Sequence, residues 1–248
     1  MTRPFRIELT GAASALGAQV SEATELPAAM EVLGLHPPRP TVVVVGGAAG
    51  LEEARIDGLR PVFTRGIAPV IQMCGAVGVD GGTPFGVMRL FGEARAAIEA
   101  AFPLVGVVAA GPAKLPRGQA FAHAETVLEA HHTHFVVVPG DRWGAEAPWI
   151  ARAATVLAGA APSITVLVNG GQIAYSDVQH SVEAARRVVV IAGSGGTADV
   201  FADAQAGARA DQRAAALIGS GLIREIRKDQ PSLLAELLTA TLGEASAT

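Results

Sequence analysis

Thr41-Val42-Val43-Val44-Val45-Gly46-Gly47-Ala48-Ala49-Gly50 sets four valines in a row ahead of three glycines. An unbroken β-branched run of this length reads as a strand covered on both faces, the kind found in a parallel sheet sandwiched by helices. Similar apolar runs recur at Met73–Val79, Leu104–Val108, His134–Val138, Ile164–Val168 and Val188–Ile191. Helical stretches are predicted between them, at Gly86–Ala101, Trp149–Ala158 and Tyr175–Ala185. Strand, glycine turn, helix, strand is the rhythm of an α/β fold, here a single Rossmann-like, doubly wound, mainly parallel sheet with helices on both faces.

The flanks read differently. Residues 1–40 form an extension, with an edge strand at Phe5–Leu9, a helix at Leu26–Leu35 and a proline-rich lead-in, His36-Pro37-Pro38-Arg39-Pro40. Residues 41–209 form the core. Residues 210–248 carry two helices over Ala210–Gly243, broken near Asp229-Gln230-Pro231 with Asp229 as the cap of the second. The leucines of Leu233–Leu242 either cover the sheet or meet another subunit in a dimer or larger homo-oligomer.

Composition removes several functional classes. The 248 residues are 50% apolar with 29 glycines and a formal charge of −4, and of the 19 basic residues only Lys114 and Lys228 are lysines. No basic run tracks a phosphodiester backbone, so nucleic acid is not the expected partner. Cys74 stands alone, which excludes an intrachain disulfide and points to a reducing compartment; it reads as the start of a buried strand and not as a nucleophile. There is no signal-peptide pattern at the N-terminus. The most apolar long window, Ala151–Val168, contains Arg152 and Pro162 and falls short of a membrane span. A cytoplasmic protein without membrane association is expected.

Chemistry is expected where glycine clusters follow strands: Gly46-Gly47-Ala48-Ala49-Gly50, Gly81-Gly82-Thr83-Pro84-Phe85-Gly86, Asn169-Gly170-Gly171 and Gly193-Ser194-Gly195-Gly196-Thr197. In a parallel sheet these turns share one edge, where glycine lets backbone N–H groups approach a phosphate at a helix N-terminus. None of the clusters is a P-loop, since Gly-Lys-Ser/Thr is absent. The first does not spell the dinucleotide fingerprint. Arg89 lies on the helix after the second cluster and faces the same edge. A further loop, Gly140-Asp141-Arg142-Trp143, follows another strand there; Trp143 is suited to stack on a base, Arg142 to reach a phosphate, and Asp141 or Glu146 to accept from ribose hydroxyls. Asp80 and Asp199, each beside a glycine turn, read equally as helix caps or ligand contacts.

Gly81-Gly82-Thr83-Pro84-Phe85-Gly86-Val87-Met88 resembles the GGGxxGLM loop of the SLOG superfamily, which includes LOG-type phosphoribohydrolases. Leu128-Glu129-Ala130-His131-His132-Thr133-His134-Phe135, Val166-Leu167-Val168-Asn169-Gly170 and Ile191-Ala192-Gly193-Ser194-Gly195-Gly196-Thr197-Ala198-Asp199 are similar, in that order, to the N-terminal cytosolic (LSDAT) region of melastatin-type TRP channels. The resemblance spans roughly residues 40–205 and looks like a stand-alone prokaryotic version of that domain. It implies a Rossmann-like fold that binds a nucleotide ligand, with ADP-ribose, cyclic ADP-ribose or an NAD-related molecule as the leading candidates, and it implies no required cofactor. LOG-type hydrolases carry a PGGxGTxxE loop, whereas Asn169-Gly170-Gly171-Gln172-Ile173-Ala174-Tyr175-Ser176-Asp177 keeps two glycines and one acid. Sensing is therefore expected ahead of catalysis. The alternative is a nucleoside 5′-monophosphate N-glycosidase with Asp177 or Glu146 as its acid.

His131, His132 and His134 invite a metal reading, because alternate residues of a strand share a face. No third ligand type lies close by in the sequence. Strand-end contacts or hydrogen-bonded core histidines are expected, and no metal.

Overall fold

The computed structural model describes residues 3–9, 13–47, 53–113, 128–208 and 211–243. The Thr41–Gly46 strand lies in the middle of one nine-stranded sheet. In chain order the strands are β1 (Pro4–Glu8), β2 (Ser14–Gln19), β3 (Thr41–Gly46), β4 (Val77–Asp80), β5 (Leu104–Ala109), β6 (His134–Val138), β7 (Ser163–Val168), β8 (Arg187–Ala192) and β9 (Ile223–Arg227). Their spatial order is β1-β2-β6-β5-β4-β3-β7-β8-β9. Only the β1–β2 hairpin is antiparallel. The chain moves from β3 outward through β4 to β6, then crosses to β7 on the other side of β3, so the order reverses between β3 and β7. That reversal is the topological switch point of the sheet, at the carboxyl ends of the two strands.

Alternation along β3 explains the two layers. Val42 and Val44 join a cluster with α2 (Glu53–Pro61), α3 (Ala68–Met73), α4 (Gly86–Ala97) and α9 (Pro231–Gly243). Val43 and Val45 pack on the opposite face with α1 (Leu26–Val32), α5 (Ala147–Ala158), α6 (Gln172–Glu183), α7 (Gly196–Gln205) and α8 (Gln212–Ile218). Every β3 side chain from Thr41 to Val45 is buried, as a centre strand between two helical layers requires.

Several boundaries depart from the sequence reading. The strand expected at Met73–Val79 begins at Val77, because α3 runs to Met73 and Gly75 turns the chain at φ +61°. Cys74 is therefore a half-buried helix C-cap, and burial raises its thiol pKa. Between α2 and α3 the helix widens into a π-type run, Val62–Ile67, flanked by Pro61 and Pro69. Gly66 sits there against the Leu234 side chain of α9 at 2.9 Å from the position of a Cβ. The region read as two helices over Ala210–Gly243 contains β9 between α8 and α9. Its buried residues, Ile223 and Ile226, are three apart and mimic a helical stripe. Asp229, expected as a cap, receives the Arg227 guanidinium at 3.1 and 2.9 Å. Strand β2, built largely of small residues, and helix α7 were not anticipated.

Candidate functional site

Gly47, directly after β3, and the loops after β4, β7 and β8 meet in a patch at the carboxyl edge of the sheet. Backbone contacts join them. The Val87 amide at the start of α4 donates to Gly47 O at 2.9 Å, and Gly47 N donates to Val168 O at 3.2 Å. Thr197 N and Ala198 N at the start of α7 donate to Gly170 O and Asn169 O at 2.9 and 3.0 Å. Glycine is needed at two of these contacts: a Cβ on Gly46 would collide with Val168 O, and one on Gly196 with Gly170 O. Ala48 lies outside the described residues.

The β7 and β8 loops are held by their own polar groups. Asn169, at φ +58°, donates from Nδ2 to Ser194 O at 2.7 Å and accepts Gly170 N on Oδ1 at 2.6 Å. The Ser194 hydroxyl accepts Asn169 N at 2.7 Å and donates to Ile191 O at 2.5 Å. Thr197 Oγ1 donates to Gly171 O at 2.9 Å, and Gly193 N donates to Asp199 Oδ1 at 2.7 Å. The hydroxyl protons of Ser194 and Thr197 thus hold the loop walls, and any anion there would meet main-chain N–H groups. Helices α4, α6 and α7 begin at this patch with no capping side chain, whereas α8, which begins elsewhere, is capped by Asp211 on Ala214 N at 2.7 Å. Among the described residues the amides of Gly86, Gln172 and Gly196, the first of each helix, meet no protein acceptor. Of the other expected contacts, Gly171 is exposed in the β7 loop and Gly81 partly so in the β4 loop, whereas Gly82 and Thr83 are buried, Gly82 against Gly106 and Phe135. Thr83 is almost fully buried, and its hydroxyl lacks a hydrogen bond. Arg89, on the first turn of α4, reaches Glu93 at 3.7 Å.

The β6 loop stands partly apart. Gly140 and Asp141 line a cleft of about 560 Å³ with Gln19, Val20, Ser21, Ala110, Gly111 and Pro139, at the ends of β2, β5 and β6. Arg142 is exposed, as is Trp143 at 53%. Gly144 turns back onto the Ile173 side chain at the start of α6, 3.2 Å from where its Cβ would lie. The residues at 140–143 are therefore divided, with 140 and 141 in the cleft and 143 next to the segment that touches α6.

Two acids lie behind the patch. Glu146, at the start of α5, accepts Gly144 N at 3.1 and 3.0 Å, and burial raises its pKa. Asp177, on the second turn of α6, is only 9% exposed; burial, and after it the charge of Glu146, pushes it up to about 7. The two candidate acids are thus electrostatic neighbours although 31 residues separate them in the sequence.

Sequence reasoning left a second group unassembled. Asp80, at the end of β4, accepts Gly82 N at 2.7 Å and His132 Nε2 at 2.7 Å through the same Oδ1. Glu129 bonds His132 Nδ1 at 2.7 Å and His131 Nδ1 at 2.6 Å. The His132 ring is fully buried and stacks on Phe135. Burial opposes its charge, but Asp80 and then Glu129 outweigh that and hold it at about 9. His134 instead pairs with the Thr133 hydroxyl, and burial lowers it to about 4. The local signal was Glu129 three residues before His132; the partner at Asp80 is 52 residues away and was invisible without the fold. Lys228 was also missed, because β9 was read as helix. Its amide extends the ladder to Ala192 O at 2.9 Å, and its side chain lies along Gly193.

Residues 39–235 match a family model described as SLOG in TRPM, prokaryote. The chain is 26% identical over 204 residues to mouse transient receptor potential cation channel subfamily M member 2, covering 68% of this chain and 13% of that protein. With the rat protein of the same name it shares 26% over 208 residues, 70% of this chain and 14% of that one. The chain therefore spans about a seventh of the length of these curated relatives. Among solved structures, the molybdenum cofactor carrier protein of Chlamydomonas reinhardtii superposes with a TM-score of 0.52 at 17% identity, covering 82% of this chain and 99% of that one. The molybdenum cofactor binding protein of Rippkaea orientalis superposes with a TM-score of 0.50 at 13% identity, covering 82% and 96%. At such identities the likeness is one of fold. No helix among the described residues is long and apolar enough to cross a membrane.

Proposed function

This chain belongs to the prokaryotic SLOG family related to melastatin-type channels, and from that premise we propose that it binds a phosphorylated nucleotide of the ADP-ribose type in the β3–β7 crevice. One observation carries the reading: α4, α6 and α7 direct uncapped N-termini at a single glycine-lined edge. Each brings the positive end of a helix dipole and the unpaired N–H of its first residue, Gly86, Gln172 or Gly196, so together they hold a diphosphate without a lysine loop. Trp143 and Ile173, exposed at 53% and 46%, offer an apolar platform for the base beside them. The solved structures of like fold carry titles naming the molybdenum cofactor, which makes that molecule a comparison ligand in the test. Calorimetric titration with ADP-ribose, cyclic ADP-ribose, NAD, AMP and the molybdenum cofactor should show an ADP-ribose-type ligand binding best. Absence of binding by all the nucleotides at millimolar concentration overturns the proposal.

A second reading is favoured by the pairing of Asp177 with Glu146. A carboxyl group held near pH 7 by burial is suited to protonate a leaving base, and its carboxylate neighbour to activate water, as N-glycosidic hydrolysis requires. Incubation with purine nucleoside monophosphates and chromatography for free base decides this. Base release that disappears in Asp177→Asn would make the chain a hydrolase.

A further inference from the structure

The buried group below the β4 loop has an order that static support does not need. Imidazole and carboxylate alternate along it: His131, Glu129, His132, Asp80. The three links are 2.6, 2.7 and 2.7 Å. The outer end meets solvent, since the His131 side chain is 42% exposed. The next three side chains are at most 3% exposed. At the inner end Asp80 Oδ1 grips Gly82 N, and Asp80 Oδ2 is buried without a partner. Glu129 N donates to Gly82 O at 2.9 Å, so both backbone groups of Gly82 are held, one by the Asp80 carboxylate and one by the Glu129 main chain. The arrangement leaves no room for a wider neighbour: a Cβ on Gly92 of α4 would collide with Glu129, and one on Gly82 would stand 2.8 Å from Gly106 Cα.

We propose that His131, Glu129, His132 and Asp80 act as one proton relay that links the surface to the ligand loop, so that anion binding above Gly82 takes up a proton at His131. The ligand part of this inference rests on the crevice reading above. Two carboxylates share one buried imidazolium, which leaves the buried group one positive charge short of neutral. An anion placed over the loop raises the proton affinity of Asp80 through space. His132 passes its Nε2 proton to Asp80 Oδ1 and keeps the one on Nδ1, so Glu129 no longer faces a cation there. The His131 ring keeps its Nδ1 proton on Glu129 and takes one from water at Nε2, which supplies the missing cation. One proton moves from His132 to Asp80 and one enters at His131, so the whole chain gains one positive charge. Among the described residues Arg95 of α4 is a further charge coupled to Glu129, and its half-buried guanidinium stays charged throughout. Phe135 and the Gly82 loop close the remaining sides.

The test uses His131→Gln, which leaves the buried links and the crevice lining in place. Calorimetry of ADP-ribose in buffers of different ionisation enthalpy, at pH 8, should show uptake of a fraction of a proton by the wild type and almost none by the variant. Wild-type affinity should then fall roughly two- to fivefold per pH unit between 7.5 and 9, against less than about 1.5-fold in the variant. Asp177 titrates equally in both proteins and cancels in the difference. Equal proton uptake by wild type and variant overturns the relay. If the wild type binds no nucleotide, the crevice reading fails, and the relay is judged without ligand. Histidine NMR should then show the His132 midpoint moved up from about 9 in His131→Gln, by roughly half a unit. An unmoved midpoint overturns it.

Discussion

The two halves of the carboxyl edge are made rigid by different means. On the β7–β8 side, Asn169, Ser194 and Thr197 tie two loops together with neutral hydrogen bonds, and glycines allow backbones to touch where no side chain fits. On the β4 side, the Gly81–Gly82–Thr83 loop rests on a buried set of charges, with His132 held between Asp80 and Glu129. Neutral, self-satisfied loops keep their shape at any pH. A loop carried by buried charge keeps its shape only while those charges keep their protonation, so the hydrogen bonds that tie the β7 and β8 loops do not depend on protons and those under the β4 loop do.

The sharpest break on the neutral side is Gly196→Val. It combines a collision with Gly170 O and a φ of +58° in a β-branched residue, and should cost about 5 kcal/mol or prevent folding, measured by urea denaturation. Retention of most of the stability would mean that the loops can move apart.

On the charged side, His132→Leu strands two buried carboxylates and should cost about 3 to 5 kcal/mol at pH 7. Its pH signature separates it from a packing defect. His132 has a folded pKa of about 9, above its ordinary 6.5, so its contribution is complete below pH 6.5 and is lost as pH rises toward 9. Wild-type stability should therefore fall across that window, and the fall should be absent in the variant.

Asp177→Asn probes the buried acid beside Glu146 and should raise stability. Asp177 is raised from 3.8 to about 7, so the folded state gains from its proton at acid pH and loses that gain as pH climbs through 7. The amide removes the cost of a buried charge, on the order of 2 kcal/mol at pH 8 and close to nothing at pH 4. A variant less stable than wild type at pH 8 would show that the carboxylate is bound by a group not yet recognised.

The smallest effect belongs to Ser194→Ala. It removes one donor to Ile191 O and one acceptor for Asn169 N and should cost about 1 to 2 kcal/mol in thermal denaturation, with no dependence on pH between 5 and 9. A pH-dependent loss would erase the distinction between the two sides.

Much of this molecule is written locally. The β-branched runs at Thr41–Val45 and His134–Val138 announce a doubly covered parallel sheet, because a strand buried on both faces has no polar alternation to hide it. Glycine after a strand announces the shared edge. What stays local can still mislead: Ile223 and Ile226 are spaced as on a helix, and only pairing with β8 makes that stretch a strand. That error hid Lys228, whose side chain lies along Gly193 only because β9 runs parallel to β8.

By itself the sequence determined the fold class and the glycine turns that end its strands, since both follow from periodicity and from residues within a few positions of one another. The tertiary structure alone decided which polar groups support that edge. It turned the hydroxyls of Ser194 and Thr197 inward, brought Asp177 to Glu146, and carried Asp80 across 52 residues to His132. Hydrogen bonds and charge coupling act over a few ångströms of space, whatever the distance along the chain, and strand order sets that space.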